Sequence, residues 1–446
     1  MTRWLILAEG ASAGAFDPLD QLRPAFLLRN GAWTVAERWV KLLKPTEVFA
    51  AVRPWLSELV GQPAGWSVNG LPDGRPDDVW VIVGAPSPRL DSRWNDLVFS
   101  SSFAWSNGHD TVIRLDHQGW KVYRDRLSAW VATGGEGSVP SAGEMAPLED
   151  APIAAAAGLW DLVNRLHDQM RFDWEWWRKA SGKGEDPRQH RHESAVMIEP
   201  ESVWIGRDVQ IGPQAIIDAR SGPVILDEGV VIEPFTRLDG PAYVGPHTHL
   251  VGGKITGGCA FGPGCKVGGE VEASIFQGFS SKVHEGFFGH GFIGEWVNLG
   301  ALTTNSDLKN NYGSVRVVRR GEMVDTGCLK VGSYLSDHTK TAIGTLLPTG
   351  STTGVGVNLL SGGLAPKSVP PFVWGGNAGF AEHRIDRMIE TAQAAIRRRA
   401  AVLKTLGRAD QLGRGEENAL RALFAASAST REAFLRDGSP QPGGRP

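Results

Sequence analysis

A six-residue rhythm through the middle of the chain limits the possible folds more than any other feature. Ile205, Ile211 and Ile217 keep this spacing, as do Leu226, Ile232, Leu238, Val244 and Leu250. The register returns at Leu335, Thr341, Leu347, Thr353 and Leu359. Small or β-branched residues recur four places later, as at Val209, Ala215, Thr236, Thr248, Thr339 and Thr345. Such a period predicts one short strand and one turn per step, with three steps per coil of a parallel β-helix over residues 204–370. One coil cannot bury its inner face alone, so coils stack around a shared core. A β-sandwich would show period two instead.

With 446 residues the chain exceeds one compact core, and two or three domains are expected. A net charge of −3 gives no electrostatic footprint for nucleic acid. Cys259, Cys265 and Cys328 are an odd set without CxxC spacing, which argues for a reducing compartment and against a zinc site. The opening MTRWLILAEGA is too short in apolar residues for a signal-peptide core. No run approaches the ~20 apolar residues of a spanning helix. A cytoplasmic protein without membrane contact is the expectation. The 17 tryptophans read as filling for large interfaces.

Residues 1–150 look α/β. Residues 4–8 read as a strand, followed by a Gly/Ala/Ser loop and an amphipathic helix over 33–43. VWVIV at 79–83 reads as a central parallel strand, and 111–115 and 121–123 as further strands. Strand, glycine loop and helix suggest a doubly wound nucleotide-binding half. Residues 151–179 read as helix, and the polar SGKGEDPRQHRHES as a linker. Residues 305–325 break the six-step rhythm and read as a loop excursion. A basic helix over 381–406 carries Arg397, Arg398 and Arg399, read as a solvated face or a clamp on an acidic neighbour. A second helix covers 416–435, and GSPQPGGRP reads as a disordered tail.

Residues 281–313 hold the densest polar constellation. A neutral imidazole at His284 suits a general base for an amine near pH 7. Lys282 suits an anionic group such as phosphate, and the Asn298 amide suits a sugar hydroxyl or carbonyl. Phe287 and Phe288 offer an apolar wall. The alternative is that His284 and His290 are turn residues and Asn298 an inward ladder residue.

Four stretches carry a more specific likeness: FDPLDQLRPAFLLRNGAWTVAERW, GLWDLVNRLHDQM, CKVGGEVEASIFQGFSSKVHEGFFGHGFIGEWVNLGALTTNSDLKNNYG, and TGCLKVGSYLSDHTKTAIGTLLPTGSTTGVGVNLLSGGLAPKSVPPFVWGGNAGF. Together the chain resembles the bifunctional UDP-N-acetylglucosamine pyrophosphorylase/glucosamine-1-phosphate N-acetyltransferases, and more closely a divergent bacterial and archaeal branch of that family. The resemblance implies a left-handed β-helix, a homotrimer, and acetyl sites between neighbouring subunits. It implies His284 as catalytic base and Asn298 as amino-sugar ligand. Phe287 falls on a sugar-contacting Tyr, and Ala301 on a cofactor-contacting Ala. Asp307 and Leu308 replace an Asn-Tyr pair that contacts acetyl-CoA. Glu272 stands where better-known members have a phosphate-binding Lys, with Lys282 or Lys266 as candidates to offset it.

The front half departs further from the family. Its loop runs from Glu9 and Gly10 to Gly14, with Arg23-Pro24 as in the divergent branch and no Pro-Lys after it. The magnesium-binding Asp expected after the central strand is missing, since Val83 leads into Gly84-Ala85-Pro86. Gly10, Arg23 and Arg29 remain as nucleotide-binding candidates; Mg2+ is admitted there without identified ligands.

The expected organisation is therefore a nucleotidyltransferase-like α/β domain over 1–180 and a linker over 181–196. An acyltransferase β-helix over 197–375, C-terminal helices over 376–436 and a tail over 437–446 follow. The expected function is acetylation of glucosamine 1-phosphate by acetyl-CoA, with UTP as a further substrate if the front domain is active. The rivals are a related transferase with another sugar, and a non-catalytic sugar-nucleotide-binding scaffold.

Overall fold

The computed structural model describes residues 1–10, 13–88, 102–106, 110–140, 153–182 and 184–437. The six-residue rhythm becomes a triangular prism of three parallel sheets, a left-handed β-helix. One sheet has nine strands, from Val203–Ile205 to Ser368–Val369. Its inner column runs Ile205, Leu226, Val244, Phe261, Phe276, Ile293, Leu335, Thr353 and Val369. Every member of that column is buried, and each fully buried large side chain stabilises by roughly 1.5–3 kcal/mol. A second face begins at Val196–Ile198 and reaches Phe287–Gly289. The third runs from Gln210–Ile211 to Ser281–Lys282 and continues through single bridges at Asn298 to Lys340–Thr341.

The small residues four places on fill the corners. Thr248 Oγ1 donates to the Gly262 carbonyl at 2.8 Å and accepts from the Cys265 amide at 3.0 Å. Ser280 repeats this with Gly294 and Val297. Backbone groups that stacking would strand inside the prism are thereby paired. The excursion at 305–325 contains a hairpin, Arg316–Arg319 against Glu322–Asp325.

The front half holds a six-stranded sheet, ordered Ser67–Val68, Glu47–Ala51, Arg3–Ala8, Asp78–Val83, Thr111–Asp116, Phe103–Ser106. The first four strands are parallel, and Thr111–Asp116 pairs antiparallel with both of its neighbours, so the sheet is mixed rather than purely doubly wound. Residues 121–123 are not a strand. They lie in helix His117–Ala132, because Asp116 caps it through the Gly119 amide at 2.8 Å, and Trp120, Tyr123, Leu127, Trp130 and Val131 bury one helical face. The helix read at 33–43 begins at Val35, since Thr34 and Glu37 form a capping box. The helical reading of 151–179 divides into Leu159–Asn164 and Leu166–Ser181. The tail from 438 onward lies outside the described residues.

The two halves meet through named contacts. Arg23 reaches Asp337 at 2.7 Å and Glu295 at 3.6 Å. Gln277 accepts from the Arg29 amide and donates to the Leu27 carbonyl, both at 2.9 Å. Ser336 donates to the Pro18 carbonyl at 2.7 Å. Trp177 packs edge-on against Trp204 and tilts toward Tyr243, so some of the tryptophans fill an interface as expected. The C-terminal helices tie both halves. Helix Ile385–Arg397 packs Met388 into a cluster with Val355, Phe372, Leu420 and Leu22. In helix Arg414–Ala426, Asn418 donates to Glu58 at 3.0 Å.

Candidate functional site

The site grows from one coil of the prism. Strand Ser281–Lys282 pairs with Lys266–Val267 below it and bridges to Asn298 above. Lys282 occupies the inner register position beside Val267, where Leu250 and Ile232 sit in the coils beneath. Its side chain is 2% exposed. The ammonium donates to the Gly268 carbonyl at 2.8 Å and to the His284 carbonyl at 3.0 Å. Burial pushes its pKa down to about 8. Lys282 thus fastens the turn that carries His284 from inside the prism.

Gly269 completes that turn. Its φ is +70°, and a Cβ there would lie 2.7 Å from both the His284 carbonyl and the Lys282 ammonium. The close approach of the 284–285 backbone and the Lys282 ammonium at this corner therefore requires glycine. The His284 side chain points outward and is exposed. Among the described residues its ring meets no hydrogen-bond partner. Asn298 is also exposed on the adjoining face, so its position is outward rather than inward.

Phe288 is buried inside, whereas Phe287 faces outward beside Glu270. Ala301 and Leu302 form the same corner one coil above, with the Leu302 amide donating to the Glu285 carbonyl at 2.8 Å. Lys282, His284, Phe287, Asn298 and Ala301 therefore fall around one corner. Asp307 and Leu308 lie toward the next corner, with His290, where the Phe287 ring and the Asp307 carboxylate both approach Gly289. The Asp307 carboxylate bonds His290 Nδ1 at 2.8 Å and lies 3.8 Å from Lys330. Burial opposes ionisation of Asp307, yet the contacts with His290 and Lys330 hold its pKa below the ordinary value. Lys330 also pairs with Glu272 at 3.3 Å, so the carboxylate that replaces a family lysine is neutralised locally.

Gly10, Arg23 and Arg29 are far from that corner in the chain, and their contacts are with other residues. Gly10 has φ +55° and packs against Val83. Arg23 is engaged by Asp337, and the Arg29 guanidinium donates to the Ala32 carbonyl at 2.7 Å. Both arginines are buried at the joint between the halves. Reading the sequence alone missed Arg399, which donates to Ser281 Oγ at 2.9 Å. No local signal marked it, because a run of three arginines reads equally as a solvated face.

Residues 5–181 match a family model described as sugar nucleotidyl transferase. The bifunctional protein GlmU of Acidovorax sp. (strain JS42) is 30% identical over 191 residues, 40% of this chain and 38% of its own. That of Carboxydothermus hydrogenoformans is 29% identical over 147 residues, 28% of this chain and 33% of its own. A bifunctional sugar-1-phosphate nucleotidylyltransferase/acetyltransferase of Sulfurisphaera tokodaii is 26% identical over 160 residues, 33% of this chain and 38% of its own. The chain spans about a third of the length of these curated relatives. Its fold is that of a nucleotidyltransferase-like domain joined to a hexapeptide β-helix. The chain is thus similar, over 28–40% of its length, to these bifunctional proteins.

Proposed function

We propose that the chain transfers acetyl from acetyl-CoA to the amine of an amino-sugar 1-phosphate, glucosamine 1-phosphate being the first candidate. The carrying observation is His284: an exposed imidazole without an internal partner, on a turn fastened by Lys282 and flanked by exposed Asn298. In the step, His284 takes a proton from the amine as nitrogen attacks the thioester carbonyl. The C–N bond forms, the C–S bond breaks, and coenzyme A leaves as the thiol with a proton returned from the imidazolium. A positioned base contributes typically ~10²–10⁴-fold. Phe287 supplies an apolar wall and the Asn298 amide a donor and an acceptor for the sugar. Lys282 acts through the His284 turn and not on the sugar phosphate. Ala301, Asp307 and Leu308 are the proposed acetyl-CoA contacts, divided between subunits.

A homotrimer belongs to the same proposal. Its support is a row of exposed apolar side chains above His284: Leu302 at 56%, Ile343 at 69%, Leu346 at 45% and Leu364 at 59%. Exposed apolar surface of this kind marks an interface. The free Cys259, Cys265 and Cys328 suit a reducing cytoplasm as the working compartment. Among the described residues no helix is long and apolar enough to cross a membrane.

Uridylyl transfer from UTP is the second reading, carried by the family match over residues 5–181. The described residues do not supply a Mg2+ ligand set there. Both oxygens of Asp110 accept amides, from Ala85 at 3.0 Å and Ala156 at 2.9 Å, and Arg53 grips Glu9 at 2.7 Å. Thiol release from acetyl-CoA, measured with a panel of amino-sugar phosphates, tests the first reading, and pyrophosphate release with UTP and Mg2+ tests the second. Acetylation of another amino sugar alone would give the activity a different substrate. Silence in both assays would favour the scaffold.

A further inference from the structure

A second polar site lies on the same prism face, beginning one coil above Asn298, where helix Ile385–Arg397 covers the outer surface. Lys340 and Asn358 are outward neighbours in successive coils. They line a narrow cleft with His338, His383, Met388 and Thr391. His338 is only 9% exposed, and its Nδ1 is buried without a hydrogen-bond partner. Lys340 donates to the Trp296 carbonyl at 2.6 Å. His383 Nδ1 lies 2.8 Å from the Gly356 carbonyl. A carbonyl only accepts, so Nδ1 carries that proton and the other ring nitrogen is left for the cleft.

The chemistry of this lining is one-sided. It brings an ammonium and two imidazoles together, and among the described residues no carboxylate lines the cleft. Burial pushes Lys340 down to about 8, and burial together with the neighbouring Lys340 charge depresses His338 and His383. A buried polar nitrogen with no partner is destabilising, and a buried cation without a counter-charge is more so. A metal ion does not suit the lining, because the Lys340 ammonium would repel it. An anion satisfies the Lys340 ammonium and the unpartnered His338 Nδ1 at once.

We infer that the cleft between Lys340, His338, His383 and helix Ile385–Arg397 is a binding site for a small inorganic anion such as chloride, bromide or phosphate. The anion accepts from the Lys340 ammonium and from a proton on His338 Nδ1, while the unprotonated His383 Nε2 takes no part. It also bridges the prism to helix Ile385–Arg397, the helix that packs with both halves through Met388. No covalent step is involved, and the site is separate from the acetylation proposed at His284.

Two measurements on the full-length protein test this. Bromide soaked into crystals should give an anomalous peak within hydrogen-bond distance of the Lys340 ammonium. Bromide seen only at other surfaces would overturn the site. Thermal midpoints measured against sodium bromide or phosphate at constant ionic strength should rise in the parent. In Lys340→Met the apparent affinity should fall by at least about tenfold; equal midpoint rises in parent and variant would overturn it. Should Lys340→Met fail to fold, His338→Leu, which removes the unpartnered Nδ1, is titrated instead, with the same outcomes deciding.

Discussion

The loop after the first strand and the corner after strand Ser281–Lys282 are both glycine-bearing turns with charged neighbours, and they have opposite fates. In the front loop the charges are consumed. Arg53 holds Glu9, Arg320 from the ladder hairpin donates to the Ala13 carbonyl and, through its amide, to Asp17, and Arg23 is spent on Asp337. Burial pushes Asp20 up to about 7. At the ladder corner the charge used for folding, Lys282, lies inside, while His284 and Asn298 stay outside. The prism explains the difference. Alternate residues of each step serve the core, so outward residues at a corner carry no structural duty and remain available to a substrate. The front loop sits where two halves meet, and each ion buried there needs a partner.

The largest effect that would break this comparison concerns His284. His284→Ala should lower acetyl transfer by ~10²–10⁴-fold while leaving the unfolding midpoint near the parent's. Comparable loss from His290→Ala would move the chemistry to the Asp307 side of the prism. Next comes the joint. Arg23→Met leaves Asp337 buried without its guanidinium and should cost about 3–5 kcal/mol in denaturant unfolding. A variant as stable as the parent, with nucleotide binding lost, would return Arg23 to the role read from sequence.

A smaller effect sharpens the inner side of the corner. The pKa of Lys282 is depressed in the fold, so its penalty is complete below pH about 8 and is relieved as pH climbs toward the ordinary lysine range. Lys282→Met should therefore be more stable than the parent at pH 7, by roughly 2 kcal/mol. That advantage should shrink as the pH approaches 10, read from paired thermal midpoints. A constant difference across that range would mean the ammonium is not charged inside. If Lys282 fastens the His284 turn, the same variant should lose turnover with KM for the sugar phosphate little changed. The smallest effect is Phe287→Tyr, which restores a phenolic hydroxyl at the sugar wall. A few-fold fall in KM for glucosamine 1-phosphate is expected, and no change would point to a different sugar.

Much of the middle was legible because its signal is local. The steps from Ile205 to Leu250 and from Leu335 to Leu359 could be read residue by residue, and the corner residue Thr248 follows from the same period, whereas Ser280 lies in the stretch where the rhythm is irregular. The outward placement of Asn298 was not legible, since a residue one step from the ladder position can face either way. Residues 121–123 misled because a three-residue apolar alternation is compatible with helix and strand alike. The capping carboxylate of Asp116 decided between them. Arg23 and Arg29 looked like phosphate ligands because their partners, Asp337 and Gln277, are hundreds of positions away in the chain.

The sequence alone determined that a prism forms and, where the six-residue rhythm is kept, which residues line its inside, because a stacking period is written in each step. The inward Lys282 lies where that rhythm is irregular. Tertiary structure alone decided which charges stay free. An ionic group keeps its function only if folding brings no opposite charge to it, and that depends on contacts between distant segments. For this reason His284 faces solvent while Arg23, no less polar in the sequence, is part of the joint.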